Sequence, residues 1–200
     1  MKKNKSVQVA LVLTAVFGGI EATSAEPKAA DGSPTAEPTG SMYLKPRDRF
    51  MYGPVFGAPS GWSMEAKCTD LQWSSALNIA ATGAFVDALG VQCIDKAMIG
   101  PPVDLYIAGP AAASAMAYGC YAKQVPTGLY GRSGSVIDRL GFLCREWRDA
   151  ADSGDRGDDS GGSGGTSFSW ECPRGYWLVG LRTWIGTWIN AVQPICRYDP

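Results

Sequence analysis

The stretch Cys172-Pro-Arg-Gly-Tyr-Trp-Leu-Val-Gly180, followed by Gly186-Thr-Trp-Ile-Asn190 and closed by Cys196, decides how the rest of this chain is read. It is a cysteine, a glycine-punctuated run of β-branched and aromatic residues, a short G-x-x-x-[DN] loop and a second cysteine. The same block occurs twice more: Cys120 to Cys144 around Gly134-Ser-Val-Ile-Asp138, and Cys68 to Cys93 around Gly83-Ala-Phe-Val-Asp87. First cysteines lie 52 and 52 residues apart, and second cysteines 51 and 52. Gly57, Gly109 and Gly161 keep the period, each 11 residues before a first cysteine. Self-similarity at a period of about 50 residues marks one supersecondary unit repeated around or along an axis.

Inside a block the patterning is that of strands. Trp177 to Ile185 is a β-branched and aromatic run between Gly175 and Gly186, and Val136 to Cys144 alternates polar with apolar residues, as do Phe85 to Cys93 and Trp188 to Cys196. Regularly spaced glycines supply the turns. The pattern predicts three or four strands per block, about ten to twelve overall. Ala108 to Ala117 has helical propensity. Its position, matching Gly57-Ala-Pro-Ser-Gly61 and Gly161-Gly-Ser-Gly-Gly165, makes it a loop entering a strand. Ile99 to Ile107 reads as a strand pair or an extended connection. Asp149 to Gly165 reads as a charged, solvated loop, because Asp152, Asp155, Asp158 and Asp159 match neither the EF-hand spacing nor the nonapeptide repeat. Trp170 and Trp177 are expected in the core and Trp188 at the surface. Three small sheets, each burying one face, fit around a pseudo-threefold axis with one shared core. The expected fold is an all-β β-prism of three internal repeats of antiparallel strands.

The ends of the chain read differently. Lys2, Lys3 and Lys5 precede a mostly apolar run, Val7 to Ile20, and Thr23-Ser24-Ala25 offers a small-residue cleavage site. Residues 1–25 therefore read as a signal peptide; the rival reading, a membrane anchor, suffers from a run short for a bilayer. Residues 26–42, rich in Ala, Pro, Gly, Thr and Glu, read as a disordered linker. Residues 43–200 are left for the prism, with repeats at about 52–93, 104–144 and 161–196.

Export to an oxidising compartment, secreted, extracellular or periplasmic, would turn the six cysteines into three disulfides. The repeat selects Cys68–Cys93, Cys120–Cys144 and Cys172–Cys196, each closing a loop worth about 3 kcal/mol on the chain-entropy estimate. Metal ligation lacks both a C-x-x-C pair and histidine, of which the chain has 0. No metal and no organic cofactor is expected. The missing histidine also removes Ser-His-Asp and Cys-His catalysis. With 18 basic and 19 acidic residues and no basic stripe, nucleic acid is not an expected partner. No membrane span is expected in the mature form.

The segment Gly131-Arg-Ser-Gly-Ser-Val-Ile-Asp-Arg-Leu-Gly-Phe142 resembles the last strands of the jacalin-related lectins, which carry G-R-S-G-x-x-[ILV]-D-x-[IL]-G-[FV]. Gly161-Gly-Ser-Gly-Gly-Thr-Ser-Phe-Ser-Trp170 resembles that family's Gly-Gly opening loop and the aromatic strand after it. Cys172-Pro-Arg-Gly-Tyr-Trp-Leu-Val-Gly180 is similar to the block openings of vitelline membrane outer layer protein. Both resemblances imply a threefold β-prism over Tyr52 to Tyr198, with the second and third blocks matching best. The cysteines depart from the jacalin pattern. The jacalin resemblance further implies that the Gly-Gly loop and the G-x-x-x-D loop lie side by side at one end and bind mannose or galactose.

The loop residues suit that chemistry. A carboxylate accepts charge-assisted bonds from adjacent hydroxyls; glycine lets a ring approach the backbone; an aromatic side chain covers an apolar sugar face. The candidate carbohydrate-binding residues are Gly83, Phe85 and Asp87; Gly134 and Asp138; and Gly186, Trp188 and Asn190. The loops at Gly57, Gly109 and Gly161 would form the opposite walls. The rival reading is structural, since Asp or Asn beside a tight turn also caps its own loop. Together these features predict a secreted, non-enzymatic, lectin-like protein whose partners are mannose- or galactose-type glycans or cell-surface polysaccharide. The alternative is a structural protein of the cell envelope or extracellular matrix. A glycosidase would need two carboxyls about 5 Å apart or somewhat more, whereas Asp87 and Asp138 belong to separate blocks.

Overall fold

Each cysteine block folds as one long antiparallel hairpin, because its two glycine-bounded apolar runs are joined by the short G-x-x-x-[DN] loop. In the computed structural model, which describes residues 49–199 except 98–99, 106–107, 112–113, 122–123 and 147–153, these hairpins are three copies of one object. The first pairs β4 (Gln72–Ala81) with β5 (Val86–Asp95). The second pairs β8 (Gln124–Ser133) with β9 (Ile137–Glu146), and the third β12 (Tyr176–Ile185) with β13 (Ile189–Tyr198). All three carry a register shift at the same place, Ser74/Ala76, Pro126/Gly128 and Leu178/Gly180. A bulge bends its strand and increases local twist, so the repeat extends to strand curvature. The expected signal peptide and linker, residues 1–42, lie outside the described residues, as does Asp152.

Outer strands widen each hairpin into a sheet. The order is β6-β5-β4-β7 in the first, with β6 (Val103–Asp104) and β7 (Met116–Gly119), and β10-β9-β8-β11 in the second, with β10 (Asp155–Gly161) and β11 (Thr166–Glu171). In the third, β1 (Phe50–Tyr52) and β2 (Phe56–Gly57) pair with β13, while β3 (Trp62–Lys67) pairs with β12. The outer strands of the first two sheets follow their hairpins in sequence. Those of the third come from the N-terminal side and close the ring onto the last hairpin.

This connectivity corrects the expectation of one block per sheet. The segment ahead of each first cysteine belongs to the preceding block's sheet, and the segment ahead of Cys68 belongs to the last. Thirteen strands are described rather than ten to twelve; the surplus comes from edge pieces of two or three residues, such as β1 and β2 flanking Gly53-Pro54. The stretch expected as a solvated loop is also corrected. Asp155–Gly161 is strand β10, paired with β9 despite its acidic residues, because it is an edge strand that leaves Asp155, Arg156 and Asp158 exposed to water, and Arg139 Nη1 lies 3.5 Å from Asp159 Oδ1.

The three inner faces share one core. Leu77, Ile79, Leu89 and Val91 meet Leu129, Leu140 and Phe142 and then Leu178, Leu181, Ile189 and Val192, all essentially inaccessible. Burying each such side chain contributes about 1.5–3 kcal/mol. Trp170 packs on this core half-buried. Trp177, expected inside, is instead half-buried beside Trp73, with ring centroids 6.4 Å apart and its indole N–H donating to the Asp199 carbonyl at 3.3 Å. The disulfides Cys68–Cys93, Cys120–Cys144 and Cys172–Cys196 span Cα distances of 5.6, 5.6 and 5.9 Å. They sit at the open ends of the hairpins, so the G-x-x-x-[DN] loops lie at the other end.

Candidate functional site

At that end one feature repeats three times. Gly57, Gly109 and Gly161 have φ of 89°, 113° and 127°, and a Cβ on each would lie 2.2, 2.1 and 2.1 Å from the carbonyl oxygens of Asn190, Asp87 and Asp138. Both the left-handed backbone and the close approach demand glycine. The walls are thus beside the loops as expected, but shifted by one block: Gly57 faces Asn190, Gly109 faces Asp87 and Gly161 faces Asp138. The wall then bonds its loop through the next N–H, Ala58 to Asn190 O at 3.1 Å and Gly162 to Asp138 O at 2.7 Å. Pro110 holds that place in the first copy and has no N–H to donate.

The three polar side chains have different surroundings. Asp87 is buried, and its Oδ2 accepts from both the backbone N–H and the hydroxyl of Thr82, each at 2.5 Å. It caps its own loop. That loop also differs in backbone: its last strand pair is Ala81↔Val86, whereas the others close at Ser133↔Ile137 and Ile185↔Ile189. Gly83 has φ 82°, and Ala84 N–H donates to Thr82 O; in the other two copies Gly134 and Gly186 donate to Val136 O and Trp188 O. Asn190 points into its wall, its amide donating to Ser60 O and Ser60 Oγ at 3.0 Å each.

Asp138 is the exception. It is 5% exposed, and its Oδ2 has no hydrogen-bond partner. Ser133, the counterpart of Thr82, does not take that role. Above the carboxylate lie Gly164 and Gly165, where a Cβ would fall 2.3 Å from Oδ1 and 2.5 Å from Oδ2 respectively. Gly165 has φ 61° and Gly134 lies alongside it, a Cβ at 134 reaching within 3.9 Å of Gly165 Cα. Two arginines hold the glycine loop by its carbonyls: Arg132 Nε to Gly164 O at 2.6 Å and Nη2 to Gly165 O at 2.8 Å, and Arg139 Nε to Gly162 O at 3.0 Å and Nη2 to Gly161 O at 3.2 Å. The result is a rigid, glycine-walled cradle around a buried acceptor.

No protein-family model matches the chain, and no curated protein matches it in sequence. Solved structures do. Single-chain recombinant jacalin superposes with a TM-score of 0.56 at 15% identity, over 77% of this chain and 98% of its own. Calystegia sepium agglutinin gives 0.57 at 16%, over 74% and 97%, and a mannose-binding jacalin-related lectin from Ananas comosus gives 0.56 at 14%, over 75% and 99%. The fold is the jacalin-like β-prism. Within this jacalin-like prism Phe85 and Trp188, expected to serve separate loops, meet each other with centroids 5.1 Å apart and planes at 48°. Ala84 lies against Gly162, whose Cβ would be 2.5 Å from Ala84 O. The first loop therefore touches both the Asp138 cradle and the third loop.

Arg139, Thr82 and Ser60 carry much of this geometry and were not singled out from sequence. Ser60 had a readable signal. Setting Gly57-Ala-Pro-Ser-Gly61 and Gly109-Pro-Ala-Ala-Ala113 against Gly161-Gly-Ser-Gly-Gly165 leaves glycine at both of the last two positions only in the second copy. Among the described residues no group of three or more His, Cys, Asp or Glu is placed to hold a metal ion.

Proposed function

We propose that this protein is a secreted, lectin-like glycan-binding protein, and that Asp138 in the Gly161–Gly165 cradle is its principal sugar contact. The observation that carries the reading is the buried Asp138 Oδ2 without a hydrogen-bond partner, beneath two glycines that admit no side chain. A buried acceptor left without a donor costs about 1–3 kcal/mol, and a sugar hydroxyl that reaches it supplies the donor in charge-assisted form. The ligand class is mannose- or galactose-type sugar, alone or as the end of a cell-surface polysaccharide. Support comes from the fold shared with jacalin and with a mannose-binding lectin. The three disulfides suit an oxidising compartment. No chemical step is proposed at the site.

The test is a glycan array on the oxidised protein and on Asp138→Ala and Asp87→Ala. Binding is expected for the wild type and Asp87→Ala and not for Asp138→Ala. Equal binding by all three would remove Asp138 from the site. No binding by any would favour the structural role in an envelope or matrix.

A further inference from the structure

We infer that the Cys120–Cys144 disulfide is a thiol-exchange site, with Cys120 Sγ as the sulfur attacked and a small thiol of the glutathione class as its co-substrate. The three disulfides are alike in what they join. Each ties the end of an outer strand to the next sheet's hairpin: Cys68 after β3 to Cys93 on β5, Cys120 after β7 to Cys144 on β9, and Cys172 after β11 to Cys196 on β13. They differ in access. Cys68, Cys93, Cys144, Cys172 and Cys196 are at most 2% exposed, whereas Cys120 is half-buried and the Tyr121 that follows it is exposed. Exposed disulfides are the labile ones, because exchange requires a thiolate to reach a sulfur.

The backbone separates the copies in the same way. The bulged residue of the inner strand, Val179 in the third hairpin and Thr127 in the second, accepts from a first cysteine: Cys68 N to Val179 O at 2.8 Å and Cys172 N to Thr127 O at 2.7 Å. The matching carbonyl for Cys120 is that of Ser75, yet among the described residues the Cys120 N–H has no backbone acceptor. β7 is also shorter, four residues against six in β3 and β11. Opening the bond therefore leaves Cys120 with fewer ties than its two counterparts keep. On the other side Cys144 is closed off: a Cβ on Gly157 of β10 would fall 2.8 Å from Cys144 Sγ and 2.9 Å from Gly119 O. Attack is directed to Cys120. The incoming thiolate bonds to Cys120 Sγ, the Cys120–Cys144 bond breaks, and its electron pair leaves on Cys144 Sγ, which takes a proton from water. The product is a mixed disulfide at Cys120 with a Cys144 thiol beneath β10, and the exchange needs no further oxidant or reductant. A group loaded there stands at the end of the prism away from Asp138.

The experiment incubates the folded, oxidised protein with reduced glutathione, quenches with N-ethylmaleimide and maps the adducts by mass spectrometry, beside Cys120→Ser/Cys144→Ser. One glutathione on Cys120 and one maleimide on Cys144 are expected, forming about tenfold faster than any adduct at the other four cysteines. The rate should stay flat in low urea, because access is local. The double variant should remain unmodified over the same period; where it does not fold, the wild-type map decides alone. A first adduct at Cys68, Cys93, Cys172 or Cys196 overturns the site, and so does simultaneous opening of all three pairs. A rate that climbs with urea as global unfolding does, or a wild type left unmodified, overturns it as well. Glutathione on Cys144 with maleimide on Cys120 overturns the assignment of the attacked sulfur.

Discussion

At Asp138 the facing wall ends in Gly164 and Gly165; at Asn190 the equivalent positions are Ser60 and Gly61. The two regions share the hairpin, the closing strand pair, the i to i+2 loop bond and the positive-φ glycine that begins the wall. They part at the side chains. A Cβ at 164 would collide with Asp138, whereas Ser60 brings its side chain and carbonyl to meet Asn190. One repeat thus keeps an acceptor without a donor and the other supplies its own partner. The first copy solves the same problem from the other side, with Thr82. A carboxylate or amide at this point in the loop does not make a site. On the proposed reading, the difference is a wall too small to satisfy it.

The largest effect that would break this contrast is on binding. Asp138→Ala should weaken glycan binding by about a hundredfold, the worth of one or two hydrogen bonds to a charged group. Calorimetry on the wild type and variant measures it. Because Oδ2 is buried without a donor, the same variant should keep more stability than Asp87→Ala. Asp87→Ala removes the acceptor for the Thr82 N–H and hydroxyl and should cost about 2 kcal/mol in denaturant unfolding, with binding intact. The reverse pattern, binding lost at 87 and stability lost at 138, would exchange the roles assigned to the two loops.

A gain-of-site variant sharpens the contrast further. Ser60→Gly with Asn190→Asp reproduces the Gly164–Asp138 pairing in the third copy. It should raise calorimetric stoichiometry from one glycan per chain to two, at a stability cost of about 1 kcal/mol for the lost amide contacts. Unchanged stoichiometry would mean that the arginine clamps, Arg132 and Arg139, are as necessary as the glycines.

Much of the architecture is legible in the chain, for a definite reason. The period of the cysteines, the G-x-x-x-[DN] loops and the strand patterning are local, and three copies of a local signal reinforce one another. The pairing of Cys68 with Cys93 and its two counterparts follows from that. Which sheet the outer strands join is not local. That Trp62–Lys67 belongs beside β12 is decided by ring closure, since β3 must pair with the hairpin whose following segment ends the chain. The site is legible in part. Asp138, Gly134 and the Gly161–Gly165 loop stand out in the sequence, but the inequality of the three loops depends on Thr82 and Ser60. Their role becomes visible only when the loops are brought within hydrogen-bond reach. Phe85 and Trp188 lie 103 positions apart in the chain and nothing in the period joins them.

The smallest effect concerns what carries each wall. The open cradle hangs from the seven-residue β10, the filled one from the two-residue β2. β10 is latched by Tyr130, whose hydroxyl donates to Gly157 O at 2.7 Å while Arg156 lies over its ring. Burial, then the neighbouring Asp159, pushes the Tyr130 phenol up to about 12. In the unfolded chain it would ionise near 10. A raised folded value means that the native state holds its proton longer, so stability from this group is complete below pH 10 and falls as pH rises through 12. Tyr130→Phe removes the donated bond and should cost about 1 kcal/mol at neutral pH. Its unfolding free energy should then decline less between pH 10 and 12 than that of the wild type. Glycan affinity should change by less than about twofold, because Arg132 and Arg139 still hold the Gly161–Gly165 loop by its carbonyls. A large loss of binding in Tyr130→Phe would move the origin of the cradle's rigidity from the arginine clamps to the strand beneath it.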